Sequence, residues 1–384
     1  MKKSIFIALF SVVFSTFLFA EDTAFRVIPI TLLDEDTISF HISDTHTQIG
    51  GPRPSFAPQP QVNLRPQLRA TLRVRGEHDL NENVNRFNIP NARVVLFGNA
   101  TEWLSYQMQV DLNNHGQFRF LDMEARFREG RDFSFRVGQM LVPFGQIQQL
   151  VPRMVALCDL AWVVSRMSGS FRDIGVNATY RFRINGFPIF LTGGVYNGAG
   201  IGGVPGWTNN VAHSFRLMAG TADNIRFSLK TYHNDIHEIY GIDFRFFRNG
   251  FTIDAEFLGG NYVRSGIILG NDTLPTQTMQ KIGSLLHVGK MFQTGRNTVR
   301  YIEPIVRWDM MGMANNFDFS DANRLTFGLN LGFREFNERQ FFRTGELRLN
   351  YGHTFVNEAR APLYFGNNPR LWASMIMVEF LFEI

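Results

Sequence analysis

Cysteine is almost missing from this chain of 384 residues: Cys158 stands alone, so no disulfide can form within it. Lysine is scarce as well. Lys2, Lys3, Lys230, Lys281 and Lys290 are the complete set, and every other basic residue is arginine. The formal net charge of +4 is too small to argue for a nucleic-acid partner. After residue 20 no apolar run approaches the ~18 residues that a spanning helix needs. Helical periodicity is hard to find. Enzyme signatures are poor too. "RMSGS" (Arg166 to Ser170) lacks the spacing of a nucleophile elbow. His233 and His237 fall at a hairpin loop, and Asp235 and Glu238 do not complete a metal site there. No reaction, metal or cofactor is expected.

What is present is patterned. "MKKSIFIALFSVVFSTFLFAED" has two lysines, an apolar run, and Ala20 ahead of Glu21, which is the pattern of a secretory signal peptide over residues 1–20. Residues 21–61 form a separate extension containing the Pro-rich "GGPRPSFAPQPQ". From residue 62 to 384 the chain alternates. In "NLRPQLRATLRVRG" one face carries Leu64, Leu68, Leu72 and Val74 and the other Arg65, Arg69, Arg73 and Arg75. Successive strand side chains point to opposite faces, so this is a ribbon with one oily and one cationic side.

Sixteen such segments of about ten residues can be marked between Asn63 and Ile384. Short turns ("NATE", "REGRD", "NG", "TADN", "RNG", "TGRN", "NERQ") alternate strictly with mostly longer connections at 76–86, 113–117, 141–172, 197–212, 234–238, 263–280, 310–323 and 355–370, of which 141–172 is the longest. An even strand number with short turns at one end and long loops at the other predicts an all-β, antiparallel, up-and-down transmembrane barrel. Magnitude sets the orientation of each strand. An arginine on the lipid face near the midplane costs roughly 2–4 kcal/mol, so the guanidinium side must face the lumen. Soluble sandwiches and small barrels also use amphipathic strands. Sixteen strands, the turn asymmetry and the terminal strand "WASMIMVEFLFEI" argue against them.

Five segments carry a family likeness: "ARVVLFGNATEWLSYQMQVDLN", "RVGQMLVPFGQ", "RDIGV", "GVYNGAG" and "EPIVRWD", in that order. Together they resemble the phosphate-selective porin O and P family over residues 62–384. The resemblance implies a bacterial outer-membrane barrel of sixteen strands, usually trimeric, that passes small anionic solutes by diffusion past arginines. The chain departs from the family at Pro90 and Asn91, where an Arg-Arg pair is usual, and at its final residue, Ile384, where an aromatic is usual.

For transport chemistry, alternation puts sixteen basic residues on the lumen face, from Arg65 to Arg348, with nine acids among them; Arg65, Arg69, Arg73, Arg75, Arg126, Arg181 and Arg183 are taken as pore-lining, with the strand-one cluster first. Rings of arginine favour anions, and guanidinium pairs bidentately with phosphate or carboxylate. The alternative for each is pairing with a neighbouring carboxylate that merely orders the wall. The third long connection, starting at Pro143, Phe144 and Gly145, carries Arg153, Arg166 and Arg172. It is expected to fold into the lumen as a constriction; the alternative is a loop lying flat outside or against a neighbouring subunit. The rival whole-protein reading is a barrel plugged by its own loops, with a structural or adhesive role.

Overall fold

The computed structural model describes residues 64–384 apart from 115–116, 131, 145–154, 168–171, 199, 201–210, 222, 235–236, 265–266, 270–271, 275–276, 315–317, 335–342 and 366–367. The expected signal peptide and Pro-rich extension lie outside the described residues.

Sixteen long strands pair antiparallel, each with its neighbours in sequence. They are β1 (Gln67–Asp79), β2 (Val84–Asn99), β3 (Leu104–Asn114), β4 (Gln117–Glu129), β5 (Phe133–Leu141), β6 (Arg172–Ile184), β7 (Phe187–Tyr196) and β8 (Ala212–Gly220). They continue as β9 (Ile225–His233), β10 (His237–Arg248), β11 (Phe251–Arg264), β12 (Gln277–Lys290), β13 (Tyr301–Met313), β14 (Asp318–Gly332), β15 (Gly345–Val356) and β16 (Met375–Glu383). The sheet closes on itself. β1 meets β16 from Thr71↔Glu383 to Asp79↔Met375, so no edge remains to be satisfied.

The alternation read from sequence holds around the cylinder. On β1, Thr71, Arg73, Arg75, Glu77 and Asp79 point inward and are buried, while Leu68, Leu72 and Val74 stand exposed outside. On β14 and β16, Phe327, Leu329, Val378 and Phe380 continue the outer belt. Burial alternates along the strands because the side-chain period is two; a one-residue slip would put the bore's charges into lipid.

The turns follow their chemistry. Asn185–Gly186 and Asn249–Gly250 take positive φ at both residues, the geometry a two-residue hairpin needs. One expected long connection is shorter than its sequence suggested. The ladder between β1 and β2 continues through Asp79↔Val84, leaving only residues 80–83 as a turn. Residues 76–86 lack apolar alternation, but backbone pairing extends past the apolar belt and needs none. β2 also carries a bulge opposite Arg73–Arg75, where Ile89 and Pro90 fall outside the ladder. That accommodates a proline that would otherwise cost a hydrogen bond.

The bore and its inward segment as candidate functional site

β5 stops at Leu141, and the chain leaves the wall at Val142, Pro143 and Phe144. Proline has no N–H to donate to the ladder, so the strand ends there. The described part of the connection, Val155 to Met167, runs inside the cylinder. It ends in a short helix, α1 (Trp162–Met167), of which Trp162, Val163, Val164 and Met167 are buried.

Irregular backbone at membrane depth is tolerated only where its polar groups find partners. Here the wall supplies them. Asn330 donates to the Ala156 carbonyl at 2.8 Å, and Arg73 and Arg75 both donate to the Cys158 carbonyl. Arg307 reaches the Asp159 carbonyl at 2.8 Å, Arg324 the Leu160 carbonyl at 3.1 Å, and the Tyr262 hydroxyl the Met167 carbonyl at 2.8 Å. The Asp309 carboxylate accepts the Trp162 N–H at 3.1 Å. Side chains seal the fit. Asp159 pairs with Arg307 at 3.1 Å and with Arg324, whose guanidinium also lies 4.6 Å from the Trp162 ring centroid. Burial alone would raise the Asp159 carboxyl, but Arg324 and Arg307 outweigh it and hold it well below the usual carboxylate range. Burial, with Glu379 adding to it, pushes the Cys158 thiol up to about 12.

Two wall glycines make room. A Cβ at Gly283 would sit 2.5 Å from Met167 Sδ and 2.8 Å from Val163 Cγ2. At Gly328 a Cβ would sit 2.5 Å from Leu157 Cδ2. The inward segment therefore lies flush against the inner face of β11 to β15 and β1, the inward course expected of this connection.

The strand-one cluster is occupied by this docking. Arg73 bonds Glu379 (2.7 and 2.9 Å) and Asn91 (2.8 Å), and Arg75 bonds Glu379 (2.7 Å) and Glu77 (3.2 Å). Arg69 lies 3.5 Å from Glu383 and 5.0 Å from the Phe97 ring centroid. Arg65 precedes the strand and is exposed. The same wall holds Arg343 with Glu303 and Glu346, and Arg348 with Glu346 and Glu379. Cation and carboxylate alternate there.

The opposite wall, β4 to β10, is built differently. Its register sets cations against cations. Arg126 stands opposite Arg136, Arg216 opposite Lys230, and Arg226 opposite Arg245. All six are buried and inward-facing. Like charges directly opposite destabilise a sheet, so such rows are costly without something to offset them. Acids stand among them: Glu124 lies 3.6 Å from both Arg126 and Arg136, Asp243 lies 3.0 Å from Lys230 and 3.9 Å from Arg226, Glu256 pairs with Lys230, and Asp254 pairs with Arg245 at 2.6 Å.

Arg181 lies on the same side, its guanidinium 5.0 Å from the Phe190 ring centroid, and Arg183 is exposed at the short-turn end. Of the constriction arginines, Arg172 opens β6 and pairs with Asp122 at 2.7 Å, and Arg166 sits 5.5 Å from the Phe365 ring centroid. Arg153 lies outside the described residues. The structure thus splits the sequence-selected arginines between two walls. Arg324 and Arg343 belong to the site and were not among them. β14 begins at Asp318, before its apolar alternation becomes visible at Leu325, and Arg343 precedes its strand.

The model of the family described as phosphate-selective porin O and P matches residues 61–201. The likeness read from the sequence holds over that stretch. No curated protein matches the chain. Among solved structures, the fold is similar to Salmonella typhi OmpF in complex with daunomycin, with 12% identity and a TM-score of 0.57. That match covers 83% of this chain and 97% of the other. The outer-membrane channel DcaP of Acinetobacter baumannii is similar at 10% identity and a TM-score of 0.53, covering 83% of this chain and 97% of that one. A mutant of the Rh. blastica porin matches at 10% identity and a TM-score of 0.52, covering 83% of this chain and 100% of that one. At these identities the structures speak for the fold. The closed sixteen-stranded barrel, its apolar outer belt and the family match together place the chain in the bacterial outer membrane, as a barrel of the porin type.

Proposed function

We propose that this porin-type barrel, whose residues 61–201 match the phosphate-selective porin O and P family, is a passive diffusion channel with anion preference. Small anions such as phosphate are its proposed solutes. The observation that carries the reading is the cation-against-cation register of β4 to β10. A low-dielectric wall focuses the field of these close-set cations into the bore, where it attracts a passing anion. The opposite wall contributes little selectivity, because its arginines are matched by carboxylates and by the carbonyls of the inward segment.

The family resemblance supports two further parts of the reading. One is that the assembly is a homotrimer; the other, supported also by the Lys2–Lys3, apolar-run and Ala20 pattern, is that residues 1–20 direct export. The long-loop end faces outward, as in barrels of this kind. The family match and the porin-like fold support a channel rather than an enzyme.

The test is a charge reversal on each wall. Purified Arg126→Glu and Arg216→Glu variants in planar bilayers should shift the reversal potential in a KCl gradient toward potassium. Arg69→Glu, on the matched wall, should shift it far less. An equal shift from all three would remove the two-wall argument. No shift from Arg126→Glu or Arg216→Glu would remove anion selection by β4 to β10.

A further inference from the structure

The last long connection also folds into the cylinder, a course that no sequence pattern announces. Residues 357–374 contain a short helix, α2 (Pro362–Phe365), and a single 3₁₀ turn (Pro369–Trp372). The Asp321 carboxylate accepts from Arg360 at 2.9 Å and from the Tyr364 hydroxyl, and Lys281 Nζ donates to the Leu363 carbonyl at 2.7 Å. The end of this connection is tied to the turn between β1 and β2. The Leu80 N–H donates to the Ser374 carbonyl at 2.9 Å, and Asn81 Oδ1 accepts the Ser374 N–H at 2.9 Å. Arg370 pairs with Glu82 of the same turn at 2.8 Å.

Between the turn and the connection lies a cavity of about 360 Å³, at the small end of the roughly 300–1,000 Å³ usual for ligand pockets. Asp79, Asn81, Glu82, Glu358, Arg370 and Trp372 line it. Three of these are carboxylates and one is a guanidinium, which Glu82 already engages. Asp79 makes the cavity more than an acidic patch. It is only 5% exposed. Its Oδ1 accepts the N–H groups of Asn81 at 2.9 Å and Glu82 at 3.1 Å, and so pins the turn. Its Oδ2 has no hydrogen-bond partner among the described residues.

A buried carboxylate oxygen without a donor is costly, and the cavity that Asp79 lines is where a donor can enter. The group that satisfies it must donate a hydrogen bond and carry positive charge to match the carboxylates. An apolar body on that group would rest on Trp372, whose indole face also attracts a cation. A bare metal ion fits this lining less well. Among the described residues no three acids, imidazoles or thiols gather to hold one, and an indole supplies no ligand.

We propose that this cavity binds a small organic primary ammonium ion, with an N–H given to Asp79 Oδ2 and its carbon chain against Trp372. Glu358, which is exposed, adds negative charge to the site. The site does not depend on what crosses the bore.

The experiment uses n-butylammonium and tetramethylammonium, isomers of equal charge of which only the first has N–H donors. Equilibrium dialysis against the full-length protein in detergent reads their binding. The wild type should take up n-butylammonium saturably, and tetramethylammonium about tenfold more weakly, because a hydrogen bond to a charged group is lost. Asp79→Asn keeps Oδ1 for the turn and should weaken n-butylammonium by about tenfold too. Each variant is first shown folded by heat-modifiable gel mobility. Glu358→Gln alters an exposed side chain and should weaken binding severalfold; it decides the matter if Asp79→Asn fails to fold. Glu102→Gln, on an exposed short turn, should bind as the wild type does. Equal binding of the two isomers would overturn the proposal, since charge alone would explain it. So would the absence of saturable binding, wild-type affinity in Asp79→Asn or Glu358→Gln, or an equal loss in Glu102→Gln.

Discussion

At the scale of single residues, Asp159 is the most informative. It faces Arg307 and Arg324, which also share Asp309, so the inward segment hangs on a four-member charge network. Asp159→Asn leaves two buried guanidinium groups less well matched, at a cost of roughly 1–3 kcal/mol in docking the segment. Noisier current and a lower heat-modification temperature should follow, read from bilayer recordings and unheated gels. The pH dependence has a definite sign. The carboxyl is held below its ordinary range, so its contribution is complete above the unfolded value of about 3.9 and is lost only as pH falls through the lower, folded one. Current noise should therefore stay flat from neutral pH down to about 5. A transition near neutrality would mean that another group holds the segment. Cys158 gives a second check. Its thiol is buried, raised to about 12 and donated to Asn350 Oδ1 at 2.7 Å. The thiolate is the reactive form, so maleimide should label the protein, as read by mass, only after heat unfolding. Rapid labelling of folded protein would show that the segment leaves the wall.

At the scale of elements, α1 depends on a bare patch of wall. Gly283 and Gly328 supply it, and a Cβ at either would meet Met167 or Leu157. Gly283→Val should lift α1 away while leaving the β12 ladder intact. The expected result is unchanged barrel content by circular dichroism, a lower heat-modification temperature and altered conductance; an unaffected channel would place α1 off the ion path. The strands themselves are legible in the sequence, because period-two alternation is local and strong. Arg73 and Arg75 can be assigned to the inner face from their neighbours alone. Their partners cannot. Glu379 lies about three hundred residues away along the chain and meets them only because β16 closes on β1. The inward course of 155–167 is expected from the length of its connection. That of 357–374 is not, since its anchors, Asp321 and Lys281, sit on other strands. Turn 80–83 reads as a longer loop in the sequence because backbone pairing outlasts the apolar pattern.

At the scale of the whole molecule, the barrel carries three radial layers: an apolar belt, a hydrogen-bonded wall, and a charged bore in which β4 to β10 set cation against cation in register. In sequence the strand-one arginines stand out, because four of them fall within eleven positions before the first acid on that face, Glu77. Glu77 and, through closure, Glu379 and Glu383 of β16 meet them, whereas the cation-against-cation rows lie on β4 through β10, where they are spread over several strands in sequence. Selectivity is then a property of the assembled cylinder rather than of any one segment. The reversal potential of the unmodified protein in a planar bilayer, under a KCl gradient, reads that property directly. A potential of the sign set by chloride is predicted; one set by potassium would contradict the account.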